Sequence, residues 1–126
     1  MPAMTNAAVL YDWNEVRLDR MRGAITRRFV SSERMTVGQI VLEEGDEVPR
    51  HSHDNEQITY VITGALKFWF GESDEQQMIV RGGSMVVIPA GLPHRALALE
   101  HTFELDLFSP PRADWIDGSD AYLRGK

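Results

Sequence analysis

"PRHSHDNEQITYVITG", residues 49–64, decides how the rest of the chain is read. His51 and His53 stand two apart, and Gln57 follows four residues after the second histidine. On an extended strand, residues two apart project from the same face, so the two imidazoles point the same way. Gln57 shares their parity if the strand runs on without a bulge. The stretch continues as QITYVIT, rich in β-branched and aromatic residues, and stops at Gly64. A cluster of possible metal ligands therefore leads into a strand, and its oxygen donor is a neutral amide rather than a carboxylate.

Working outward, the same alternation of short apolar runs and glycine turns recurs. AITRRFV (24–30) and MTVGQIVLEEG (35–45) are β-rich and end at Gly45-Asp46. ALKFWFGE (65–72) follows a tight turn at Gly64-Ala65, QMIVRGG (77–83) ends at Gly82-Gly83, and SMVVIP (84–89) runs into AGLPH. RALALEHTFELDLF (95–108) reads as two further strands. Turn signals spaced about every 8–12 residues predict an all-β sandwich or barrel. Helical periodicity is absent before residue 110. YDWNEVRL (11–18) fits either a short helix or a strand, and RADWIDGSDAYLRGK (112–126) predicts a short C-terminal helix. The expected layout is one structural domain: an arm and first strands over 1–36, a barrel over 37–110 and a tail over 111–126.

Period 2 assigns faces. Leu66, Phe68 and Phe70 share one face, with Lys67 and Trp69 on the outer one. In QITYVIT, Gln57, Thr59 and Val61 oppose Ile58, Tyr60 and Ile62, and both sets contain bulky groups. This predicts a strand covered on both sides, with a dimer contact as the outer cover. The apolar residues Val9, Leu10, Tyr11 and Trp13 add to that surface, so a homodimer is expected. Leu105 and Leu107 are expected to pack between sheets, which leaves Asp106 facing either solvent or the lumen.

Composition narrows the chemistry. The 126 residues suffice for one domain with a core. With no cysteine, any metal is held by His, Asp, Glu, Asn or Gln. A formal net charge of −6 argues against a nucleic-acid or anionic-membrane surface. The N-terminal MPAMTNAAVLYDW lacks the basic and long apolar regions of a signal peptide, and no apolar run approaches the roughly 18 residues of a membrane span. A cytoplasmic setting is expected.

A third histidine, His94, follows SMVVIPAGLP, where Pro89, Gly91 and Pro93 shape a turn. Neutral imidazole suits zinc, manganese, iron, nickel and copper. Three imidazoles and one amide oxygen leave positions open for water or substrate. Surface or capping roles are the bland alternative for each histidine taken singly. The fourth, His101, stands alone in LEHTF and reads as structural or exposed, not as a ligand.

The grouped spacing resembles the two motifs of the cupins: Gly45, His51, His53, Gln57 and Gly64 match the first, and Gly83, Pro89, Gly91 and His94 the second. The chain departs at Ala98, where the second motif usually ends in Asn, and at Gln57, where many cupins carry Glu. The resemblance implies a small antiparallel β-barrel, or jelly roll, with one divalent transition metal (Ni, Zn, Mn or Fe) in its mouth. A His₃Glu set cancels one unit of the metal's charge; a His₃Gln set cancels none, which favours anionic ligands and stronger Lewis acidity.

ELDLFSPPRADW (104–115) sharpens the resemblance. Asp106 and Phe108 share strand parity, and Pro110-Pro111 stiffens the chain before Arg112. An exposed Arg112 paired weakly with Asp114 is the plain alternative. Together with HSHDNEQ and the His94 turn, the stretch is similar to the pectin-degradation cupins, which ketonise the unsaturated uronates released by pectate and alginate lyases. That resemblance implies Asp106 and Arg112 as catalytic groups, Phe108 and Arg112 as substrate-binding groups, and an anionic sugar as the substrate. A metal-dependent dioxygenase and a non-catalytic sugar- or metabolite-binding cupin are the other readings.

Overall fold

A computed structural model describes residues 6–124. Among the described residues, ten strands form two antiparallel sheets that face each other. The larger sheet contains β1 (Asp19–Arg20), β2 (Thr26–Ser31), β3 (Thr36–Leu42), β10 (Thr102–Ser109), β5 (Glu56–Thr63) and β8 (Met85–Ile88), in that spatial order. The smaller contains β4 (Glu47–His51), β9 (His94–Ala98), β6 (Ala65–Phe70) and β7 (Gln76–Arg81). This is the all-β jelly roll the turn spacing predicts. YDWNEVRL forms a 3₁₀ turn at Trp13–Glu15, and the tail carries one short helix, α1 (Ala113–Asp117), and a 3₁₀ turn at Ala121–Leu123.

Alternation fixes the lumen. Leu66, Phe68 and Phe70 of β6 are 2–3% exposed, and they face Ile40, Leu42 and Val61 of the other sheet within one apolar cluster. Each such side chain contributes about 1.5–3 kcal/mol by leaving water. Gly64 has φ 100°, and a Cβ there would lie 2.4 Å from the His101 carbonyl oxygen and Thr102 Oγ1, so the β5–β6 turn requires glycine. Gly38 serves packing instead: a Cβ at that site would meet the Trp115 ring at 2.7 Å.

One expectation about faces is corrected. Leu105 and Leu107 do not pack between the sheets; they are half-buried on the outer side, while Thr102, Glu104, Asp106 and Phe108 line the inside of β10. The lumen accepts this polar set because Thr59 and Gln57, on the neighbouring strand β5, turn inward beside it. The outer face of β5, for which a dimer contact is the expected cover, is left open by the described residues: Ile58 is 36% exposed, and Met85 and Val87 of the edge strand β8 about 60%.

Both ends of the fold close on one another. Arg27 of β2, fully buried, donates to Asp120 at 2.6 Å and to Asp19 at 3.1 Å, and its guanidinium lies 4.3 Å from the Trp115 ring centroid. The Arg22 N–H donates to the Leu123 carbonyl at 2.9 Å. The tail is thereby part of the barrel wall. Among the described residues no helix is long and apolar enough to cross a membrane.

Candidate metal centre

The four ligand-type residues come from both sheets. His51 closes β4, residues 52–55 form the connection, and Gln57 lies near the start of β5 in the opposite sheet. The continuous strand assumed from parity does not exist. The residues meet because the chain crosses between sheets here, not because they share a strand. His94 opens β9 and is the register partner of His51. The His51 and His94 rings lie 4.3 Å apart, His53 and His94 5.2 Å, and the ligand-type atoms of the three histidines fall within 4.8 Å of one another. His101 stands elsewhere, exposed and 2.8 Å from Glu43.

The tautomers are set by the backbone. Nδ1–H of His51 donates to Pro49 O at 2.9 Å, that of His53 to Asn55 O at 3.0 Å, and that of His94 to Leu92 O at 2.8 Å. Each Nε2 therefore carries a lone pair. His94 Nε2 is buried with no hydrogen-bond partner. His53 Nε2 faces Gln57 Oε1 at 3.1 Å, two acceptors edge to edge. A cation between them resolves both oddities: ligand atoms about 2.1 Å from a transition ion, at right angles, stand roughly 3 Å apart. The donor set fits a divalent transition metal.

Electrostatics agree. Burial, with help from His94, lowers the His51 pKa to about 3. Burial lowers His94 to about 4, and burial together with Arg112 lowers His53. The rings are held in the neutral form a metal requires.

Gln57 is oriented by its own neighbours. Nε2 donates to Thr59 Oγ1 at 2.8 Å and approaches Asp106 Oδ1 at 3.5 Å, which turns Oε1 toward the histidines. Thr59 Oγ1 in turn donates to Asp106 Oδ1 at 2.6 Å. Asp106, 6% exposed, thus faces the lumen rather than solvent. Phe108 packs edge-on to His53 at 5.6 Å, and the Arg112 guanidinium sits 4.6 Å from the Phe108 ring. Asn55 ties the ligand loop to this corner by donating to the carbonyls of Pro110 and Pro111.

Arg112 is 1% exposed, not a surface cation. Nε and Nη2 grip Asp114 at 2.8 and 2.6 Å, and Nη2 also donates to Tyr122 Oη at 2.8 Å; Nη1 takes no part in these bonds. The Tyr122 ring stacks on His51 at 4.2 Å. His51, Gln57, Thr59, His94, Asp106, Phe108, Arg112 and Tyr122 border one pocket with about 510 Å³ of empty space including its mouth, while His53, Asn55 and Asp114 are not part of its lining. Sequence reasoning missed Thr59, Glu104, Asp114, Trp115 and Tyr122 as parts of the site. Parity alone pointed to Glu104 once Asp106 faced inward.

Residues 38–109 match the family model described as the cupin domain. An uncharacterised Streptomyces coelicolor protein is 28% identical over 87 residues, covering 68% of this chain and 80% of that protein. Acireductone dioxygenase 1 of Coprinopsis cinerea is 31% identical over 86 residues, 65% of this chain; the chain spans about half of that enzyme's length, 48%. Among solved structures, KdgF from Halomonas sp. superposes with a TM-score of 0.78 at 24% identity, covering 86% of this chain and 99% of KdgF. An RmlC-like cupin from Shewanella frigidimarina gives 0.77 at 20% identity, covering 89% and 99%. Bacillus subtilis oxalate decarboxylase gives 0.70 at 22% identity, covering 86% of this chain and 32% of the enzyme. With its family model matched over more than half its length and its histidines gathered in a jelly-roll lumen, the chain belongs to the cupin family.

Proposed function

We propose that this cupin is a metal-assisted enzyme that ketonises a 4-deoxy-unsaturated monouronate to its linear keto form. The observation that carries the reading is convergence: Asp106, Phe108 and Arg112 border the pocket that holds His51, Gln57 and His94. The resemblance of HSHDNEQ and DLFSPPRADW to the pectin-degradation cupins supports it, as does the fold match to KdgF.

When bound, a divalent ion supplies Lewis-acid polarisation of substrate oxygens. The remaining work falls to side chains. Arg112 Nη1 takes the uronate carboxylate, and Phe108 packs on the apolar face of the sugar. Asp106 moves the proton. The anomeric hydroxyl loses its proton and the ring C–O bond breaks with its electron pair on the ring oxygen. That oxygen becomes the new carbonyl as the enol carbon takes a proton. Gln57, unlike a glutamate, leaves the full metal charge to attract an acid into a protein of net charge −6.

A second reading, dioxygenation with a redox metal, is favoured by the similarity to acireductone dioxygenase 1. The assay that separates them follows the ultraviolet absorbance of the conjugated double bond alongside an oxygen electrode. Ketonisation removes the absorbance without oxygen uptake. A metal-loaded protein that leaves monouronates untouched sinks the lead reading. We also propose a cytoplasmic homodimer that buries the apolar outer face of Ile58, Met85 and Val87; a monomeric mass by light scattering at micromolar concentration overturns the dimer.

A further inference from the structure

Trp115 is 3% exposed, and its indole N–H has no hydrogen-bond partner among the described residues. The Tyr122 hydroxyl is a neighbour, but the two do not meet in hydrogen-bond geometry, and that oxygen already accepts from Arg112 Nη2 at 2.8 Å. A buried donor without an acceptor lowers stability, and a buried tryptophan ordinarily finds one. A phenylalanine would fill an apolar slot without that cost.

The ring is held so that it cannot turn to find a partner. Its Cζ3–Cη2 edge, on the six-membered ring, fits against Gly38 of β3, where a Cβ would lie 2.7 and 3.1 Å from those two atoms. Phe108 and Phe29 meet it edge-on, with centroids 4.9 and 5.6 Å away, and the Arg27 guanidinium lies 4.3 Å from its centroid. With the six-membered edge at the β3 wall, the nitrogen edge is turned from that wall. The residue borders the pocket that holds His51, Gln57 and His94.

Two more donors on the same C-terminal segment are uncommitted. Arg112 Nη1 takes no part in the bonds to Asp114 and Tyr122, and the guanidinium lies 4.7 Å from the Trp115 ring centroid. The Tyr122 hydroxyl accepts from Arg112 with its oxygen and keeps its hydrogen to donate, while its ring stacks on His51 at 4.2 Å. The group that suits three such donors is one that only accepts. A carboxylate offers two oxygens and no hydrogen, whereas a sugar hydroxyl brings a hydrogen of its own. Asp114 already answers part of the Arg112 charge, so neutral donors supply what the guanidinium alone does not.

We propose that Trp115 is a substrate-binding residue: its Nε1–H, with Arg112 Nη1 and the Tyr122 hydroxyl, forms a three-donor seat for the ligand's carboxylate beside the histidines. That this carboxylate belongs to a monouronate rests on the ketonising reading; the seat itself does not.

The test follows the indole N–H signals of ¹⁵N-labelled, zinc-loaded protein by nuclear magnetic resonance during titration with galacturonate, a saturated monouronate with no double bond to ketonise. The chain has three tryptophans, so Trp13→Phe and Trp69→Phe assign the Trp115 signal by elimination. That signal is expected to move downfield with galacturonate and to stay in place with galactose, which lacks the carboxylate. Trp115→Phe is expected to bind galacturonate about 10–100-fold more weakly at unchanged zinc content, the size of one hydrogen bond to a charged group. Pyruvate, a carboxylate without a sugar, separates the seat from the uronate: a signal that moves with pyruvate but not with galacturonate keeps the seat and removes the uronate. A wild-type signal that moves with neither acid overturns the seat, whether or not Trp115→Phe folds. Equal affinities for Trp115→Phe and the wild type overturn it too, and an equal shift with galactose overturns the carboxylate assignment. A shift with galacturonate in a protein that does not turn over the unsaturated monouronate removes the ketonising reading and leaves the seat standing.

Discussion

Thr59 Oγ1 donates a 2.6 Å hydrogen bond to Asp106 Oδ1, its register partner on the adjacent strand. The same hydroxyl oxygen accepts from Gln57 Nε2 at 2.8 Å. One buried hydroxyl therefore fixes both the Gln57 amide beside the histidines and the Asp106 carboxylate. Partners behind a metal's ligands are worth roughly 10–100-fold in affinity when lost. Thr59→Val is expected to weaken zinc binding by that factor in a competitive chelator titration, and Thr59→Ser to restore it. Equal affinities for Thr59→Val and the wild type contradict this.

Gln57→Glu places a second carboxylate where an amide nitrogen now approaches Asp106 at 3.5 Å. The variant is expected to keep its metal, because a carboxylate is a good ligand, and to bind monouronate more weakly, because it cancels one unit of charge. Calorimetry on the metal-loaded variant checks this; unweakened anion binding refutes the charge argument.

Asp114 holds the Arg112 guanidinium that the proposed reading assigns to a substrate carboxylate, so the two would compete for it. Asp114→Asn keeps a hydrogen-bonding shape but gives up its charge, so it is expected to tighten monouronate binding several-fold. Arg112→Ala does the reverse and leaves Asp114 and the buried Tyr122 hydroxyl without their donor. A hydrogen bond to a charged group is worth about 1.5–3 kcal/mol, so this variant loses both affinity and thermal stability. If it binds monouronate as tightly as the wild type, Arg112 is not the carboxylate-binding group.

Acid is expected to destabilise the metal-free protein. His51 and His94 have folded pKa values of about 3 and about 4 against 6.5 in the unfolded chain, so the unfolded state binds more protons between those limits. Stability is present above about 6.5 and falls as pH drops, by up to roughly 1.4 kcal/mol per pH unit for each histidine. Glu104, its carboxyl raised by burial, acts in the opposite sense in this window, but it is one proton against at least two. The melting temperature without metal should drop between pH 7 and pH 5; a constant or rising value contradicts the neutral-histidine assignment.

The histidines and the barrel were legible in the sequence because each rests on local spacing: His51, His53 and His94 near glycine turns, and Leu66, Phe68 and Phe70 at period 2. Strand β10 was not, because either face of TFELDLFS can be read as the inner one. Leu105 and Leu107 look like core, and only the inward hydroxyl and amide of the neighbouring strand make the acidic face the buried one. Arg27 was equally hidden: nothing local marks it as a buried charge, since its partners Asp19 and Asp120 lie 8 and 93 residues away.

That buried arginine changes what a truncation means. A chain cut after Asp117 loses Asp120, which supplies the shortest contact to the Arg27 guanidinium, and Tyr122, which stacks on His51. Such a cut looks, on a linear map, like removal of a dispensable tail. In the folded molecule it strips a counter-ion from the interior and a wall from the histidine cluster, so a deletion phenotype there reports collapse of the barrel rather than loss of a separate regulatory segment.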